Sequence, residues 1–546
     1  MEDRCEKEGS SPSLISATRD PRREQGGASI LERGRAGEAC VGWQAVKGVF
    51  TPGLIEMLLT EAQRRLLLQH SMSRPMRSLQ VDTSGFLPPP VDGLRQKRLN
   101  AQLMALAEAM ATQDTLRSRY FMRKLRREAS AEGDTLQRIV FHALAALDAR
   151  SDGSAVAKWR QPLQAPLEEV MKMIGHASQY GAPLLIEFTY IAAVHEIARA
   201  LIHASPPSDL LPKPPQQHDD QHSHQHQQHQ QQQQQQQRHQ EQRPQLQRRR
   251  FHIISLGFHA APHWVNLFMR LAAHFSSSPT PSHPHHPIPS PDSTTPPIHH
   301  TPPSPPLMPH VRITGVDFGT LRFKEAPSGT VPVVGEYLGQ VASRLGLPFS
   351  FHGVQTTPEE FSPGMVRVEQ GEEVVVMATM SLMLFPDDSV LRSNPRHALL
   401  KWIKSLNPVT VLHVGLDVDT NGPFFLARVR EKITKFSAFL ESLDCSMPHS
   451  APTRAACEEF FARDLMNSIA CEGTNRWFRS ERLSQWQERM ERMGFESVPV
   501  GTETLVAVRQ ITEGRDKRFK VELDSRSGAA VLSWHGLPII FVAGWR

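Results

Sequence analysis

From Val311 onwards, short apolar runs alternate with amphipathic segments, and this alternation restricts the fold more than any other feature of the chain. The runs VRITGVDF, FSFHGV and VTVLHVGLD have the length and β-branched content of buried strands. Between and after them, VVGEYLGQVASRLG, HALLKWIKSL and PFFLARVREKITKFSAFLESL carry apolar residues at helical spacing. EEVVVMATMSLMLF predicts a buried strand that runs into a helix. The pattern predicts a mostly parallel sheet with helices on both faces.

The last apolar segments of the chain are connected differently from the preceding ones. FKVELD, AAVLSWH and PIIFVAGW are separated only by short turns over residues 524–528 and 536–538, which predicts antiparallel pairing. A parallel sheet with an antiparallel end is typical of Rossmann-like, methyltransferase-like cores. The sequence therefore predicts an α/β fold class of that kind, by analogy of fold alone.

The segment FHIISLGFHAAPHWVNLFMRLAAHF, from Phe251 to Phe275, predicts the first strand and helix of this core. A cofactor would bind at such a crossing if the turn were rich in glycine. This turn contains only Gly257, and Pro262 removes a backbone donor; no GxGxxG or Walker loop follows. We therefore expect no cofactor, and we expect Ile253, Ile254, Trp264 and Leu267 to be packing residues.

The first 200 residues are predicted to be mostly helical. Helical faces recur in FTPGLIEMLLTEAQRRLLL, around Leu103, Leu106 and Met110, around Leu136 and Ile139, and in FTYIAAVHEIARALI. We expect a helical cap over about 50–203 and an α/β core over about 249–546. A disordered tail over 1–48 and disordered insertions over 205–248 and 276–308 are predicted from polar, Gln/His-rich and Pro/Ser-rich composition.

Charge and cysteine content exclude several classes of protein. The formal net charge of +5 is spread thinly, with local basic runs only at Arg248–Arg250 and in RDPRREQ, whereas a dedicated duplex-DNA binder concentrates its basic residues. The five cysteines are scattered and form no CxxC pair, so neither a disulfide framework nor a zinc ribbon is expected. Because there is no leader and no long apolar run, we expect a soluble intracellular protein.

Catalytic and metal motifs are incomplete. His195-Glu196 begins like a zinc-protease motif, but the residue four positions after His195 is Arg199. Asp417, Asp419 and Asn421 are better interpreted as a strand-to-helix turn than as metal ligands. No GxSxG elbow or cysteine nucleophile signature appears, so we expect neither catalytic nor metal-binding residues.

Several single residues allow two interpretations. Tryptophans on apolar segments pack more often than they contact ligands, and this applies to Trp264, Trp486, Trp534 and Trp545. Arg463 and Asp464 would pair within the protein or face a partner, with an internal ion pair as the default expectation.

Taken in order, these segments resemble the GRAS family of plant transcriptional regulators. FHIIS with the following HW is similar to the family's VHIID motif, which here includes His252, Ile253, Ile254 and Trp264. AQLMALAEAM and GDTLQRIVFHAL are similar to its first leucine-rich region. LKWIKSLNPVTVLHV, DTNGPFFLARVREKITKFSAFLESLD and ARDLMNSIACEG resemble its PFYRE region; ERLSQWQERMERMGFESVPV and VLSWHGLPIIFVAGWR resemble its SAW region.

The chain departs from the family pattern at particular positions. Ser255 replaces the acidic residue of VHIID, Ala261 its glycine, and His263 the glutamine before the tryptophan. Lys435 and Phe436 stand at the paired aromatics of PFYRE, and Ala543 replaces the last serine of SAW. The resemblance therefore implies a divergent member, with a GRAS-type domain over 49–546.

The resemblance implies a nuclear regulator that is not an enzyme and that acts by contacting other transcription factors or GRAS proteins, as a homodimer or heterodimer, with DNA contacted directly or indirectly. Candidate motif or partner-binding residues are Leu103, Leu106, Met110, Leu136, Ile139, His252, Ile253, Ile254, Trp264, Arg463, Asp464, Trp486, Trp534 and Trp545. The leucine-rich faces would form a groove for a partner or the cap's own core. A Rossmann-type enzyme that binds S-adenosylmethionine, or a related small ligand, is the alternative, and a sequence-specific DNA binder is a second.

Overall fold

The computed structural model describes residues 93–164, 183–203, 248–257, 262–276, 307–319, 331–448 and 450–546. The predicted tail over 1–48, the predicted helix over 50–68 and nearly all of the two predicted insertions lie outside the described residues. Within the described part, no helix has both the length and the apolar character needed to cross a bilayer.

Helices make up the described residues before the first strand. They are α1 (Gly93–Ala111), α2 (Thr115–Arg126), α3 (Thr135–Ser151), the short α4 (Ala155–Trp159) and α5 (Leu184–His203). Asp114 caps α2 by accepting from the Arg117 N–H at 2.9 Å, and Asp134 with Gln137 forms a capping box that starts α3. The helical faces expected around Leu103, Leu136 and Phe188 are observed as α1, α3 and α5, whereas α2 and α4 were not predicted.

Strands and helices then alternate. The elements are β1 (Arg250–Leu256), α6 (Pro262–Ser276), β2 (His310–Asp317), α7 (Val331–Arg344), β3 (Phe349–Gln355), β4 (Glu372–Thr379), α8 (Pro395–Ser405), β5 (Thr410–Leu416), α9 (Phe425–Ser446), α10 (Pro452–Ala470), α11 (Leu483–Arg492), β6 (Ser497–Val498), α12 (Thr502–Thr512), β7 (Phe519–Leu523), β8 (Ala530–Trp534) and β9 (Leu537–Trp545).

One nine-stranded sheet forms the centre of the molecule, in the order β3-β2-β1-β4-β5-β9-β8-β7, with β6 paired to β9. The first five strands pair in parallel, and β9 joins β5 antiparallel, with Val411 opposite Trp545. His535 and Gly536, both at positive φ, form the tight turn between β8 and β9. The fold class is therefore α/β with a Rossmann-like core and an amino-terminal helical cap, as the sequence predicted.

The two faces of the sheet belong to separate apolar clusters, as the two-residue period of a strand requires. Phe251 and Ile253 point into a cluster shared with α1, α3, α5, α6, α7, α9, α10 and α12. Ile254 and Leu256 point into the other cluster, which α8 and α11 cover. Because the first cluster includes the cap helices, the cap and one face of the sheet share a continuous core.

Residues after β4 do not form the α-helix that the apolar run MSLMLF predicted. Met380 has φ +49°, and its backbone N–H donates to the Val414 carbonyl at 2.9 Å, so the chain is drawn towards β5. Only a single 3₁₀ turn, Leu382–Leu384, follows. Pro386 comes two residues later and would remove a helical N–H, which explains why the apolar run does not continue as a helix.

Buried ion pairs join the cap to the core. Arg138 on α3 donates from Nη2 to the Asp444 carboxylate on α9 at 2.7 Å, and from Nε to Glu458 on α10 at 3.2 Å. Arg454 on α10 pairs with the same Asp444 carboxylate, and His142 lies 2.9 Å from Glu458. The attachment of α3 to α9 and α10 is therefore ionic as well as apolar.

Candidate functional site

The first place to look for a site is the carboxyl edge of the sheet between β1 and β4, where the strand order reverses and where α/β enzymes bind their ligands. Gly257 follows β1 with φ +82°, and a Cβ there would lie 2.4 Å from the Thr379 carbonyl oxygen and 3.3 Å from the Ser381 Cβ. The Gly257 N–H donates to the Val316 carbonyl at 2.9 Å. The turn therefore packs against the end of β4; residues 258–261 lie outside the described residues.

An acidic residue stands at the end of β2, where dinucleotide-binding enzymes place the carboxylate that holds a ribose. This residue, Asp317, is buried, and its Oδ1 accepts from the Gly319 N–H at 2.8 Å. The carboxylate thus stabilises the turn that follows β2. The sequence analysis did not select Asp317, although an acid directly after a predicted strand was a signal that would have found it.

A buried polar network fills the ends of β4 and β5. Asn421 Nδ2 donates to Asp387 at 2.7 Å and to Glu481 at 2.9 Å, and Arg489 Nη2 donates to the same two carboxylates at 2.9 and 2.6 Å. Arg396 lies 3.0 Å from Glu481. Protein groups bind both carboxylates, so the network holds together the loop after β4, the loop after β5 and α11.

Charge keeps Asp387 ionised within this network. Burial would raise the pKa of its carboxyl, but the hydrogen bond from the Ser389 hydroxyl and the charge of Arg396 lower that pKa to about 2. A general base needs a pKa near neutrality and a free lone pair, and Asp387 has neither.

Three arginines bind backbone carbonyls beside this network. Arg476 Nη1 donates to the Thr420 carbonyl at 2.7 Å, Arg479 Nη2 to the Gly473 carbonyl at 2.5 Å, and Arg428 Nη1 to the Pro423 carbonyl at 2.7 Å. Burial and the neighbouring guanidinium groups lower the pKa of Arg476 to about 9. No sequence motif pointed to this cluster, because Arg428 lies on α9 whereas Arg476 and Arg479 lie in the loop between α10 and α11.

The acidic residues after β5 form a turn, as expected. Asp417 Oδ1 accepts from the Leu483 N–H at 2.9 Å and its Oδ2 lies 3.4 Å from Lys435 Nζ; Asp419 Oδ1 accepts from the Gly422 N–H at 3.2 Å. Across the described residues, no group of three or more His, Cys, Asp or Glu side chains is arranged to hold a metal ion.

A small cavity lies next to this turn, between β5, α9, α10 and β9. Its volume is about 20 Å³, and its lining includes Lys432, Lys435, Phe436 and Phe439. That volume corresponds to about one water molecule, whereas pockets for organic ligands measure roughly 300–1,000 Å³. The cavity therefore does not accommodate an organic ligand in this conformation.

His252, the histidine of the VHIID-like segment, lies within hydrogen-bond distance of two other buried side chains. Its Nδ1 lies 2.9 Å from the Glu372 carboxylate and its Nε2 lies 2.9 Å from the Thr314 hydroxyl. Burial would raise the pKa of Glu372, but the hydrogen bond with His252 and other donors lower it to about 2. The arrangement has the order of a hydrolase triad, yet its three side chains are buried near the amino ends of the strands, opposite the ligand-binding edge. It therefore stabilises the sheet.

The leucine-rich candidates lie in the interior. Leu103, Leu106, Leu136 and Ile139 are buried in the core that the cap shares with the sheet, and Met110 is partly buried against it. In this conformation those faces form the cap's own core, so a partner would reach them only if the cap opened. Ile253 and Ile254 are buried on opposite faces of β1.

All four candidate tryptophans are buried, and three of them lie in aromatic or charged contacts. The Trp486 ring is 4.5 Å from His413 and lies beneath Arg396 at 5.2 Å. Trp534 packs on Phe519, and Trp264 packs on His263. The fourth, Trp545, ends β9 opposite β5. All four positions are those of packing residues.

Arg463 and Asp464 are adjacent in sequence but contact different elements. Asp464 pairs with Lys432 on α9 and accepts from the Ser468 hydroxyl at 2.9 Å. Arg463 donates to the Trp159 carbonyl at 2.6 Å and to the Gln161 carbonyl, which satisfies the end of α4. An internal ion pair is thus observed for Asp464, and Arg463 binds cap carbonyls.

Comparison with known sequences defines the class of protein. The profile of the GRAS domain family matches residues 245–546, which is more than half of the chain and includes the whole sheet. The chain belongs to the GRAS domain family.

Similarity to individual relatives extends into the helical cap. The Scarecrow-like transcription factor PAT1 of Arabidopsis thaliana is 26% identical over 459 residues, which cover 84% of this chain and 78% of that protein. Chitin-inducible gibberellin-responsive protein 2 of Oryza sativa subsp. japonica is 25% identical over 83% of this chain and 69% of that protein. Scarecrow-like protein 5 of Arabidopsis thaliana is 34% identical, but over 44% of this chain and 39% of that protein.

A solved structure shares the fold. The crystal structure of SCL7 from Oryza sativa superimposes with a TM-score of 0.57 at 20% identity, covering 82% of this chain and 99% of the SCL7 chain. At this identity the likeness establishes the architecture, and it agrees with the Rossmann-like sheet and helical cap described above.

Proposed function

We propose that this protein is a plant transcriptional regulator that acts in the nucleus through contacts with other transcription factors or GRAS proteins. The observation that carries the proposal is the similarity, over 84% of the chain, to a family member named as a transcription factor. The relative named as gibberellin-responsive, which covers 83% of the chain, supports the same class.

The proposal includes the statement that the protein is not an enzyme. It is supported by the close approach of Gly257 to the Thr379 carbonyl and by the engagement of Asp387 and Glu481 with protein donors at the ligand-binding edge. Isothermal titration calorimetry of the full chain with S-adenosylmethionine tests it directly. We expect no heat of binding; a saturable isotherm with one site per chain would restore the enzyme alternative.

The experiment for the proposed function itself has two readouts. The full chain fused to a fluorescent protein is expressed in plant cells, where we expect nuclear fluorescence, and affinity purification from nuclei is expected to recover transcription factors or other GRAS proteins. The same chain tethered to a heterologous DNA-binding domain is expected to change the output of a reporter gene. Exclusion from the nucleus, or recovery of metabolic enzymes without transcription factors, would reject the proposal.

We further propose that the cap over about 50–203 and the core over about 249–546 work as one domain, and that residues 205–248 and 276–308 are not needed for its fold. The ion pairs of Arg138 with Asp444 and Glu458 support the first part, because Arg138 lies in the cap and both carboxylates lie in the core. A chain that lacks residues 209–244 and 280–304 is expected to melt at the temperature of the full chain. A chain that begins at residue 248 is expected to lose cooperative unfolding, and retention of a sharp transition would separate cap from core.

A further inference from the structure

Helix α2 presents an outward face that is exposed in the described part of the protein. Five positions on one side of the helix at three- and four-residue spacings, and the residue just after its end, are all exposed: Leu116, Arg119, Tyr120, Arg123, Lys124 and Arg127. Leu116 is 79% exposed and Tyr120 is 58% exposed, which makes them two of the most exposed large apolar side chains in the described part of the protein. The face is therefore both strongly basic and partly apolar.

The opposite side of α2 fixes this orientation. Leu125 is buried, and Phe121 and Met122 pack partly buried against the core. The two arginines at the margins of the helix already have acidic neighbours, since Arg117 lies 3.7 Å from Glu108, and Arg126 lies 2.9 Å from Asp148. The helix cannot rotate its outward face inwards without exposing Leu125.

The outward cations differ from those at the margins. Within the described residues, no carboxylate lies within ion-pair distance of Arg119, Arg123, Lys124 or Arg127. Lys124 Nζ instead lies 5.9 Å from the centre of the Tyr120 ring. Four cations thus stand around two exposed apolar side chains along a helix of 12 residues, about 18 Å long.

The chemistry of this face distinguishes between possible occupants. A phosphate backbone would neutralise the cations, but it would leave Leu116 and Tyr120 without apolar contact. An acidic protein segment that also carries apolar side chains would satisfy both, because its carboxylates would meet the cations and its apolar residues would cover Leu116 and Tyr120. Charge complementarity and the exposed apolar area together favour the acidic segment.

We propose that the outward face of α2 is a docking surface for an acidic, amphipathic segment of a partner protein. The proposal rests on the proposed function, because it names the chemistry of the partner through which a regulator of this family would act. Leu116 and Tyr120 supply the apolar contact, while Arg123 and Lys124, one turn further along the same face, supply two of the four positive charges. Binding is therefore expected to require both kinds of side chain and to weaken as salt concentration rises.

Fluorescence anisotropy with the full chain tests this surface. The probe is a labelled synthetic peptide in which Asp residues alternate with Leu and Phe, and its control is the same peptide with every Asp replaced by Asn. Two double variants change different chemistry on the same face: Arg123→Glu with Lys124→Glu, and Leu116→Ser with Tyr120→Ser. A matched control, Lys517→Glu with Lys520→Glu, makes the same change of net charge at two exposed lysines near the last hairpin.

We expect the acidic peptide to bind, the Asn peptide not to bind, and each α2 variant to weaken binding at least tenfold, while the control variant changes it less than twofold. Because the substituted side chains are exposed, all variants are expected to keep the melting temperature of the parent chain. If one α2 variant fails to fold, the other decides. Absence of peptide binding, or equal binding by the α2 variants, overturns the proposal.

A labelled duplex DNA in the same assay tests the other possible occupant of this surface, a nucleic acid. A nucleic-acid contact would show three results together: the peptide does not bind, DNA binds less tightly to the Arg123→Glu, Lys124→Glu variant, and DNA binds equally well to the Leu116→Ser, Tyr120→Ser variant. In that case the proposal is wrong. The nuclear purification uses the parent chain and does not depend on α2. Recovery of transcription factors together with failed peptide binding would therefore reject the docking surface and leave the proposed function standing.

Discussion

The substitution Asp444→Asn tests how firmly the helical cap is attached to the rest of the molecule. The Asp444 carboxylate is fully buried; it accepts from Arg138 Nη2 at 2.7 Å and from the Thr135 hydroxyl at 2.5 Å, and it pairs with Arg454. Burial would raise the pKa of this carboxyl, but the hydrogen bond from Arg138 and the charge of Arg454 outweigh burial and lower it. Asp444 is therefore ionised at neutral pH.

The expected loss of stability follows from the charges that remain. Asparagine keeps the size of the side chain and one acceptor oxygen, but it leaves Arg138 and Arg454 to share the single carboxylate of Glu458. Removing one partner from a buried ion pair costs about 3–5 kcal/mol, because a buried charge is left uncompensated. Since a domain has a total free energy of unfolding of about 5–15 kcal/mol, this is a large fraction of the stability.

Urea unfolding followed by circular dichroism measures the loss, with Asp148→Asn as the matched control. Asp148 pairs with Arg126 at the surface, so its substitution is expected to cost below about 1 kcal/mol. The difference between the Asp444→Asn variant and the parent is expected to shrink as the pH falls below 3.8, the ordinary pKa of an aspartate, because protonation removes the same charge from the parent. If Asp444→Asn costs no more than Asp148→Asn, the buried pairs do not hold the cap and the reasoning is wrong.

Three further substitutions test the sheet. Gly257→Ala combines positive φ with a Cβ 2.4 Å from a carbonyl oxygen, so it is expected to lower the free energy of unfolding by more than the roughly 1–2 kcal/mol of a left-handed residue alone. His413→Leu removes a buried imidazole whose pKa is lowered to about 3 by burial and by Arg396, and is expected to reduce the stability lost on acidification from pH 7 to pH 5 by about 2 kcal/mol. Glu372→Gln is expected to destabilise by about 3 kcal/mol at pH 7, the free energy that corresponds to a pKa lowered from 4.5 to about 2, with the difference from the parent disappearing between those two pH values.

Each of these predictions has a control or an opposing outcome in denaturant unfolding. Gly371→Ala, at φ +78° with open space around the site, isolates the cost of positive φ, and equal losses at the two glycines would show that the contact at Gly257 is unimportant. The direction for His413 follows from a folded pKa below the unfolded value: stability is present above pH 6.5 and lost as the pH falls. An unchanged pH dependence in His413→Leu would contradict it. A Glu372→Gln difference that persists undiminished at pH 2 would mean that charge is not the cause.

The strands other than β6, and most of the helices, could be predicted because their residues carry local periodicity. β1, β2, β3 and β5 were anticipated from short β-branched runs, and α3 and α5 from apolar residues at helical spacing. Helix α2 was missed because its sequence is dominated by basic residues and buries only Leu125, so it shows little apolar periodicity. The helix expected after β4 failed for the opposite reason: the run is apolar, but a hydrogen bond from Met380 to β5 and the following Pro386 determine its path.

The site could be predicted only in part. The sequence shows that the turn after β1 contains few glycines, and this led to the expectation that no cofactor binds there. The network of Asp387, Asn421, Glu481 and Arg489 had no counterpart in any motif, because its members are separated by up to 102 residues. Burial of the leucine-rich faces likewise depended on which helices pack against them.

The sequence by itself determined the class of fold, a parallel sheet with an antiparallel end, and the family resemblance, because each depends on residue patterns within single segments or on the short turns between them. Only the tertiary structure decided what the polar residues do. It paired Asp444 with Arg138 and enclosed His252 between Glu372 and Thr314, and it left the basic face of α2 exposed. The physical reason is that a charge acquires its role from the groups within a few ångströms of it, and in this protein those groups come from distant parts of the chain.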